Sequence, residues 1–83
     1  MIEITATCIR KDDGAKSEIS VSISDPYWTS EGAEASCDVK ISPLYEDLSP
    51  IVGINPLHAL KLAMEFSEIL IEEASEDYDF IYH

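Results

Sequence analysis

The chain has 83 residues, of which 46% are hydrophobic, and its 17 acidic residues against 5 lysines and arginines give a net charge of −12. This length allows one small domain with a single core, and the charge argues against nucleic acid and anionic membranes as partners. The first residues lack the basic start and long apolar run of a signal peptide, and no stretch is long enough to span a bilayer. We therefore expect a cytoplasmic protein.

Alternation of apolar and polar residues with period 2 predicts three strands in the first half of the chain. The first covers residues 2–10, and the second, after a turn at residues 11–16, ends at Asp25-Pro26. The third carries four inward-facing residues, Ala35, Cys37, Val39 and Ile41. The segment between the second and third strands, residues 27–32, is predicted to be an exposed connection.

The two cysteines, Cys8 and Cys37, fall at inward strand positions and lack CxxC spacing. This placement predicts buried free thiols, with a cross-strand disulfide as the alternative if the protein is exported. Two separate cysteines and the distant His58 and His83 do not form a recognisable set of metal ligands. We therefore expect no metal site and no cofactor.

One long helix is predicted after residue 55. Asn55 is a favourable N-cap, and Pro56 suits the first helical position because it lacks an N–H and its φ is fixed. The helix is expected to fray near Ser75, since no C-cap glycine follows, and residues 76–83 are predicted to form a mobile acidic tail. A short fourth strand is predicted just before the helix, around Ile51–Ile54.

Together these elements predict an α+β fold for a single domain covering residues 1–83. An antiparallel sheet of three to four strands is expected to pack against one long C-terminal helix in two layers, in the order ββββα. The helix is apolar over a wide arc, in which Leu62, Phe66 and Ile69 lie roughly opposite Leu60, Met64 and Ile71. We interpret these three residues as a homodimer or partner interface. The alternative is that residues 44–54 and the C-terminal aromatic residues fold back over them.

A partner-binding surface is predicted from acidic and aromatic residues. The acidic residues follow the polar side of the helix and the tail without an intervening Lys or Arg. Local stability does not explain them, because they repel one another and oppose the helix dipole. Their charge would attract a basic protein, and exposed aromatic residues are common interface anchors. The predicted partner-binding residues are Tyr27, Trp28, Glu65, Glu68, Glu72, Glu76, Asp77, Tyr78 and Asp79. The alternatives are a solvated acidic face and, for the Tyr-Trp pair, a cap on the edge of the core.

The sequence shows no arrangement of catalytic residues. It contains no GxGxxG, P-loop or HExxH motif, and no motif places a serine or cysteine nucleophile beside His58. Adjacent carboxylates such as Glu72 and Glu73 point apart and do not suggest an acid/base pair. We therefore expect a protein without enzymatic activity.

Cys37 and the run from Gly53 to Ala63 combine a strand cysteine with the helix start Gly-Ile-Asn-Pro-Leu-His-Ala-Leu-Lys-Leu-Ala. This pattern resembles a group of small uncharacterised bacterial domains in which the helix begins Gly-x-Asx-Pro/Ser-Leu-x-Ala-Leu-x-Leu-Ala. The resemblance implies a β-rich sheet closed by one C-terminal helix and implies no catalytic residue. The size and acidity are also similar to those of immunity proteins that neutralise basic nuclease toxins.

These observations favour a small acidic protein-binding module, specifically an immunity or inhibitor protein that covers a basic surface of a toxin or nuclease. One alternative is a homo-oligomeric structural domain, which the wide apolar arc of the helix would support. Another is an inhibitor that mimics nucleic acid by presenting regularly spaced carboxylates to a DNA-binding protein.

Overall fold

A computed structural model describes all 83 residues as an α+β protein of seven strands and one helix. The elements are β1 (Ile2–Arg10), β2 (Lys16–Ile23), β3 (Tyr27–Ser30), β4 (Glu34–Cys37), β5 (Val39–Ser42), β6 (Ile51–Gly53), α1 (Pro56–Ala74) and β7 (Tyr78–Tyr82). The strands form two antiparallel sheets, one in the order β5-β2-β1-β7 and one in the order β3-β4-β6. The α+β class is confirmed, whereas the prediction of a single sheet of three to four strands is wrong.

Two sheets arise because one long hairpin bends. One arm of the hairpin consists of β2 and β3, and the other consists of β4 and β5. Each arm therefore contributes one strand to each sheet. Ser24 and Asp38 face each other at the bend. The N–H of Ser24 donates to the carbonyl of Asp38 at 2.9 Å, and the N–H of Asp38 donates to Ser24 Oγ at 2.8 Å. The bend therefore splits the predicted third strand at Asp38, and the segment predicted to be a connection contains β3.

The core lies on the inner faces of the two sheets. Ala35, Cys37, Val39 and Ile41, the four inward positions predicted for the third strand, are all buried. The bend does not change which face of the hairpin points inward, so the alternation continues across it. Cys8 and Cys37 are buried and free, as predicted. Burial raises the pKa of both thiols, which favours the protonated form.

The start of α1 is held by a compact set of contacts between Gly53 and Ala59. Asn55 Oδ1 accepts the N–H of His58 at 2.8 Å, and His58 Nδ1 accepts the N–H of Ile54 at 3.1 Å. Asn55 is therefore the N-cap and Pro56 the first helical residue, as predicted. A Cβ atom on Gly53 would lie only 2.6 Å from the backbone nitrogen of Ala59. Only glycine allows β6 to approach the helix this closely.

β7 occupies the segment that the sequence assigns to a mobile tail. Its residues pair with β1 from Ala6↔Tyr82 to Arg10↔Tyr78, and the N–H of Lys11 donates to the carbonyl of Asp77 at 2.9 Å. Phe80 packs against the core from this edge strand. The mobile-tail prediction is therefore corrected: the acids and aromatics alternate because the segment is a strand with one face toward the core.

The helix buries one narrow stripe and leaves both flanks partly open. The stripe consists of Ala59, Ala63, Ser67, Leu70 and Ala74. Four of these five side chains are small, which allows close packing, and the helix lies closest to β4 and β6. No helix in the structure is long and apolar enough to cross a membrane. The molecule is elongated, with dimensions of 49 × 19 × 18 Å.

Candidate partner-binding site

The outward side of α1 carries exposed carboxylates. At 100° per residue, Glu65, Glu68 and Glu72 lie opposite the buried stripe, and all three are exposed. The only ion pair among them joins Lys61 Nζ to Glu65 Oε1 at 4.0 Å on the solvent-exposed surface, where such a pair contributes little. Glu68 and Glu72 make no ion pair, so their charge is available to a partner.

A largely apolar groove of about 370 Å³ lies beside these carboxylates, between one flank of α1 and the four-stranded sheet. The helix contributes Met64, Ser67 and Ile71, and Glu68 and Glu72 also line the groove from the exposed side of the helix. The sheet side consists of Ile2, Ile4, Val21, Ile23 and Tyr82. Apolar walls with acidic groups at the edge suit a ligand that is itself apolar and cationic.

The groove lies beside the part of β1 that does not pair with β7. The last pair is Ala6↔Tyr82, and the inward-facing Ile2 and Ile4, which lie outside this pairing, are each 44% exposed. On the facing flank of the helix Met64 is 46% exposed. Sequence reasoning missed the groove because it placed Ile2 and Ile4 within a covered strand face. The surplus width of the helix's apolar arc, which includes Met64 and Ile71, was the signal that could have revealed it.

The remaining predicted acidic residues lie at the other end of β7. Glu76 and Asp77 form the turn after α1, and together with Arg10 and Lys11 they line a polar cavity of about 400 Å³. Lys11 Nζ lies 3.9 Å from Asp79 Oδ1. Lys11 therefore partly offsets Asp79, whereas Arg10 pairs with Asp13 and Glu68 and Glu72 on the helix make no ion pair.

Tyr78 belongs to this end of the molecule but faces inward. It is half-buried, packs against the core and lies 6.3 Å from Phe80 between ring centroids. The Tyr78 hydroxyl, together with the nearby Asp13, raises the pKa of Arg10. The structure thus gives Tyr78 a packing role and leaves less of its ring for a partner.

Tyr27 and Trp28 lie on β3, at the outer edge of the three-stranded sheet, and are 40% and 43% exposed. The O–H of Tyr27 donates to Asp38 Oδ1 at 3.1 Å, which raises the pKa of Tyr27. Trp28, Ala35 and Gly53 form one cross-strand row on the face that packs against α1. Neither aromatic residue lines the groove, so the structure does not bring these two residues together with Glu68 and Glu72.

The predicted interface of Leu62, Phe66 and Ile69 forms the second flank of α1, on the opposite side from Met64. Phe66 packs against the core, Leu62 is half-buried and Ile69 is 53% exposed. Leu44, Tyr45 and Leu48 of the loop before β6 pack against the same core, whereas the C-terminal aromatic residues are part of β7. Ile69 is therefore the member of this set that is most available for a contact between molecules.

The two histidines lie in different parts of the molecule and make different contacts. His58 holds the helix start, and His83 Nε2 lies 3.0 Å from Thr7 Oγ1. No group of three or more His, Cys, Asp or Glu side chains in the structure could hold a metal ion. Comparisons of the chain with models of protein families, with curated proteins and with solved structures gave no match.

Proposed function

We propose that this chain is a small acidic protein-binding module of the cytoplasm. Its role in this proposal is that of an immunity or inhibitor protein, which covers a basic surface of a toxin or nuclease. The proposal rests on one observation above all: the apolar groove is open and the unpaired carboxylates of Glu68 and Glu72 lie at its exposed side.

The two parts of this site would contribute differently to binding. Burial of apolar surface in the groove supplies affinity, and the net charge of −12 accelerates the encounter with a basic protein and disfavours acidic competitors. The same charge pattern weakens the free protein through repulsion along the helix. A surface that destabilises its own helix is more readily explained by binding than by folding.

A capture and protection experiment tests the proposal. The tagged full chain is used to isolate proteins from the source cells, and each basic protein recovered is purified and titrated with the wild-type chain and with the E68Q/E72Q variant. We expect at least one basic partner whose toxicity or nuclease activity is blocked by the wild-type chain and blocked less well by the variant. Recovery of no basic partner, or of partners whose activity is unaffected, would contradict the proposal.

The alternative of a homo-oligomeric domain is favoured by one specific observation, the 53% exposure of Ile69 beside the half-buried Leu62. In this case the second flank of α1 would meet the same flank of another copy around a two-fold axis. Sedimentation equilibrium of the wild-type chain and of Ile69→Ser distinguishes the two functions. A dimer that Ile69→Ser dissociates supports the alternative, and a monomer over the whole concentration range excludes it.

A further inference from the structure

We infer that the groove between α1 and β1 receives a large apolar side chain from a partner segment that carries lysine or arginine on both sides of it. This inference rests on the proposed function, because it names the part of a basic partner that the acidic module would recognise. The juxtaposition that supports it is an apolar floor of Ile2, Ile4 and Met64 with Glu68 and Glu72 at its exposed side.

The groove has the properties of a site for one or two apolar side chains. Its volume of about 370 Å³ lies near the lower end of the range for ligand pockets, about 300–1,000 Å³. Ile2, Ile4 and Met64 line the groove and are each close to half exposed overall, so an apolar occupant would remove part of all three side chains from water. Met64 can adjust to the shape of an occupant, because its side chain is unbranched and flexible.

The charges determine which apolar segment fits. Glu68 and Glu72 make no ion pair, and entry of an uncharged apolar group would partly dehydrate them without supplying a counter-charge. Lysine or arginine beside the apolar side chain would supply it. A second copy of this chain fits poorly, because each copy carries a net charge of −12 and would bring further carboxylates toward the groove.

Matched variants separate the groove from the rest of the surface. Met64→Ser removes an apolar wall of the groove, and Leu57→Ser makes the same kind of change on the same helix at a residue that is 78% exposed and outside the groove. E68Q/E72Q removes the two carboxylates beside the groove. E31Q/E73Q removes the same amount of charge at two exposed residues that do not line it.

The probe is a short synthetic peptide with two leucines flanked by two lysines on each side, and its control carries serines in place of the leucines. Binding to the full chain is followed by NMR of the Ile and Met methyl groups. We expect the leucine peptide to shift the signals of Ile2, Ile4 and Met64. Met64→Ser should lower the affinity for the leucine peptide about tenfold. E68Q/E72Q should lower this affinity several-fold more than E31Q/E73Q does. Leu57→Ser should change the affinity less than about twofold.

Three results would overturn the inference. The first is equal binding of the leucine and serine peptides, which would mean that charge alone is recognised. The second is a natural basic partner that loses affinity with E68Q/E72Q but not with Met64→Ser; in this case the proposed function stands and only the groove is wrong. The third is a dimer of the wild-type chain that Met64→Ser dissociates, which would make a second copy the occupant. Binding of the leucine peptide at the groove without any basic partner in the cell would instead leave the groove site intact and remove the proposed function.

Discussion

Gly53 shows how a single residue can set the distance between two elements. It ends β6 and lies against the first turn of α1, where an added Cβ would meet the backbone nitrogen of Ala59 at 2.6 Å and its Cα at 2.9 Å. Backbone atoms of a helix cannot move aside as the end of a flexible side chain can. The Gly-x-Asn-Pro segment therefore joins β6 to α1, with Gly53 at the close contact and Asn55 at the helix cap.

We predict that Gly53→Ala lowers the free energy of unfolding by about 3 kcal/mol, since overpacking against a fixed backbone is at the costly end of its usual range. Urea unfolding followed by circular dichroism measures this change. The control is Val52→Ala on the same strand, which is 50% exposed and should cost less than about 1 kcal/mol. Equal effects of the two substitutions would show that the close approach is not required.

The two buried thiols predict a loss of stability at alkaline pH. Burial raises the pKa of Cys8 and Cys37 in the folded chain, so above the ordinary thiol pKa of about 8.5 the unfolded chain has released protons that the folded chain still holds. The unfolded state then binds fewer protons, and stability falls as pH rises. The contribution is fully present below the ordinary pKa and is lost above it.

Urea unfolding at a series of pH values from neutral to about 10 tests this prediction. The raised pKa of Tyr27 acts in the same direction, so the measurement is repeated with Tyr27→Phe to isolate the thiols. We expect the decline with pH to persist in that variant and to become shallower in Cys8→Ala and in Cys37→Ala. A slope that neither cysteine variant changes would contradict the assignment to the thiols.

At the scale of elements, β1 and α1 were predictable because each carries its own periodic signal over many residues. β1 has the predicted bounds, and α1 begins at Pro56 and ends at Ala74, next to Ser75. β3 has only four residues between a proline and a turn, too few for a period to show. β7 alternates, but its inward residues are aromatic and its outward ones are Asp79 and Ile81, and two more acidic residues precede it, a composition that also suits a solvated tail.

The bend at Asp38 could not be predicted from alternation, because the bend preserves it. A single straight strand would show the same alternating burial, with Ala35, Cys37, Val39 and Ile41 all buried. The division between the sheets depends on the contacts of Ser24 with Asp38, which join residues on different arms of the hairpin. Contacts between separate elements cannot be predicted from the periodicity within one element.

The end of α1 predicts a conflict between stability and binding. Glu72 and Glu73 lie in the last turn, where no basic residue is present, and negative charge there opposes the helix dipole. We predict that Glu72→Lys and Glu73→Lys each raise the free energy of unfolding by about 0.5–1 kcal/mol. Only Glu72 lines the groove, so Glu72→Lys should also lower the affinity for the leucine peptide, whereas Glu73→Lys should lower this affinity much less.

Thermal unfolding measures the first effect and peptide titration measures the second. The informative pattern is gain of stability in both variants with loss of binding in one. If Glu72→Lys destabilised the chain, loss of binding by that variant could not be assigned to the groove. Loss of binding to the same extent in both variants would show that only the overall charge is recognised.

At the scale of the whole molecule, the groove illustrates what the sequence could not reveal. It depends on where β7 ends relative to β1 and on which flank of α1 the sheets leave uncovered. Sequence reasoning identified the helix's surplus apolar width and its acidic side, and it predicted an interface at Leu62, Phe66 and Ile69, which stays a prediction. Which flank borders the groove depends on how α1 packs on β4 and β6, a relation among distant parts of the chain.

The net charge of −12 leads to a final prediction about salt. The four ion pairs are all solvent-exposed and contribute little, so repulsion among the acidic residues outweighs the attraction within these pairs. We expect an increase in NaCl from about 0.01 M to 0.5 M to raise the free energy of unfolding by on the order of 1 kcal/mol through screening. The same increase in NaCl should lower the affinity for the leucine peptide, because screening also reduces the attraction between the acidic chain and the lysines of the peptide.

The control for this prediction is the E31K/E73K variant, whose charge is −8 because each exchange adds two positive units to −12. Its stability should rise less with salt than that of the wild-type chain, while its groove, which neither residue lines, should keep most of its affinity for the leucine peptide. If the acidic surface serves to bind a basic partner, NaCl should raise the free energy of unfolding and lower the affinity for the leucine peptide. If salt weakened both, the charge would be stabilising the fold, and the carboxylates of α1 would need no partner to explain them.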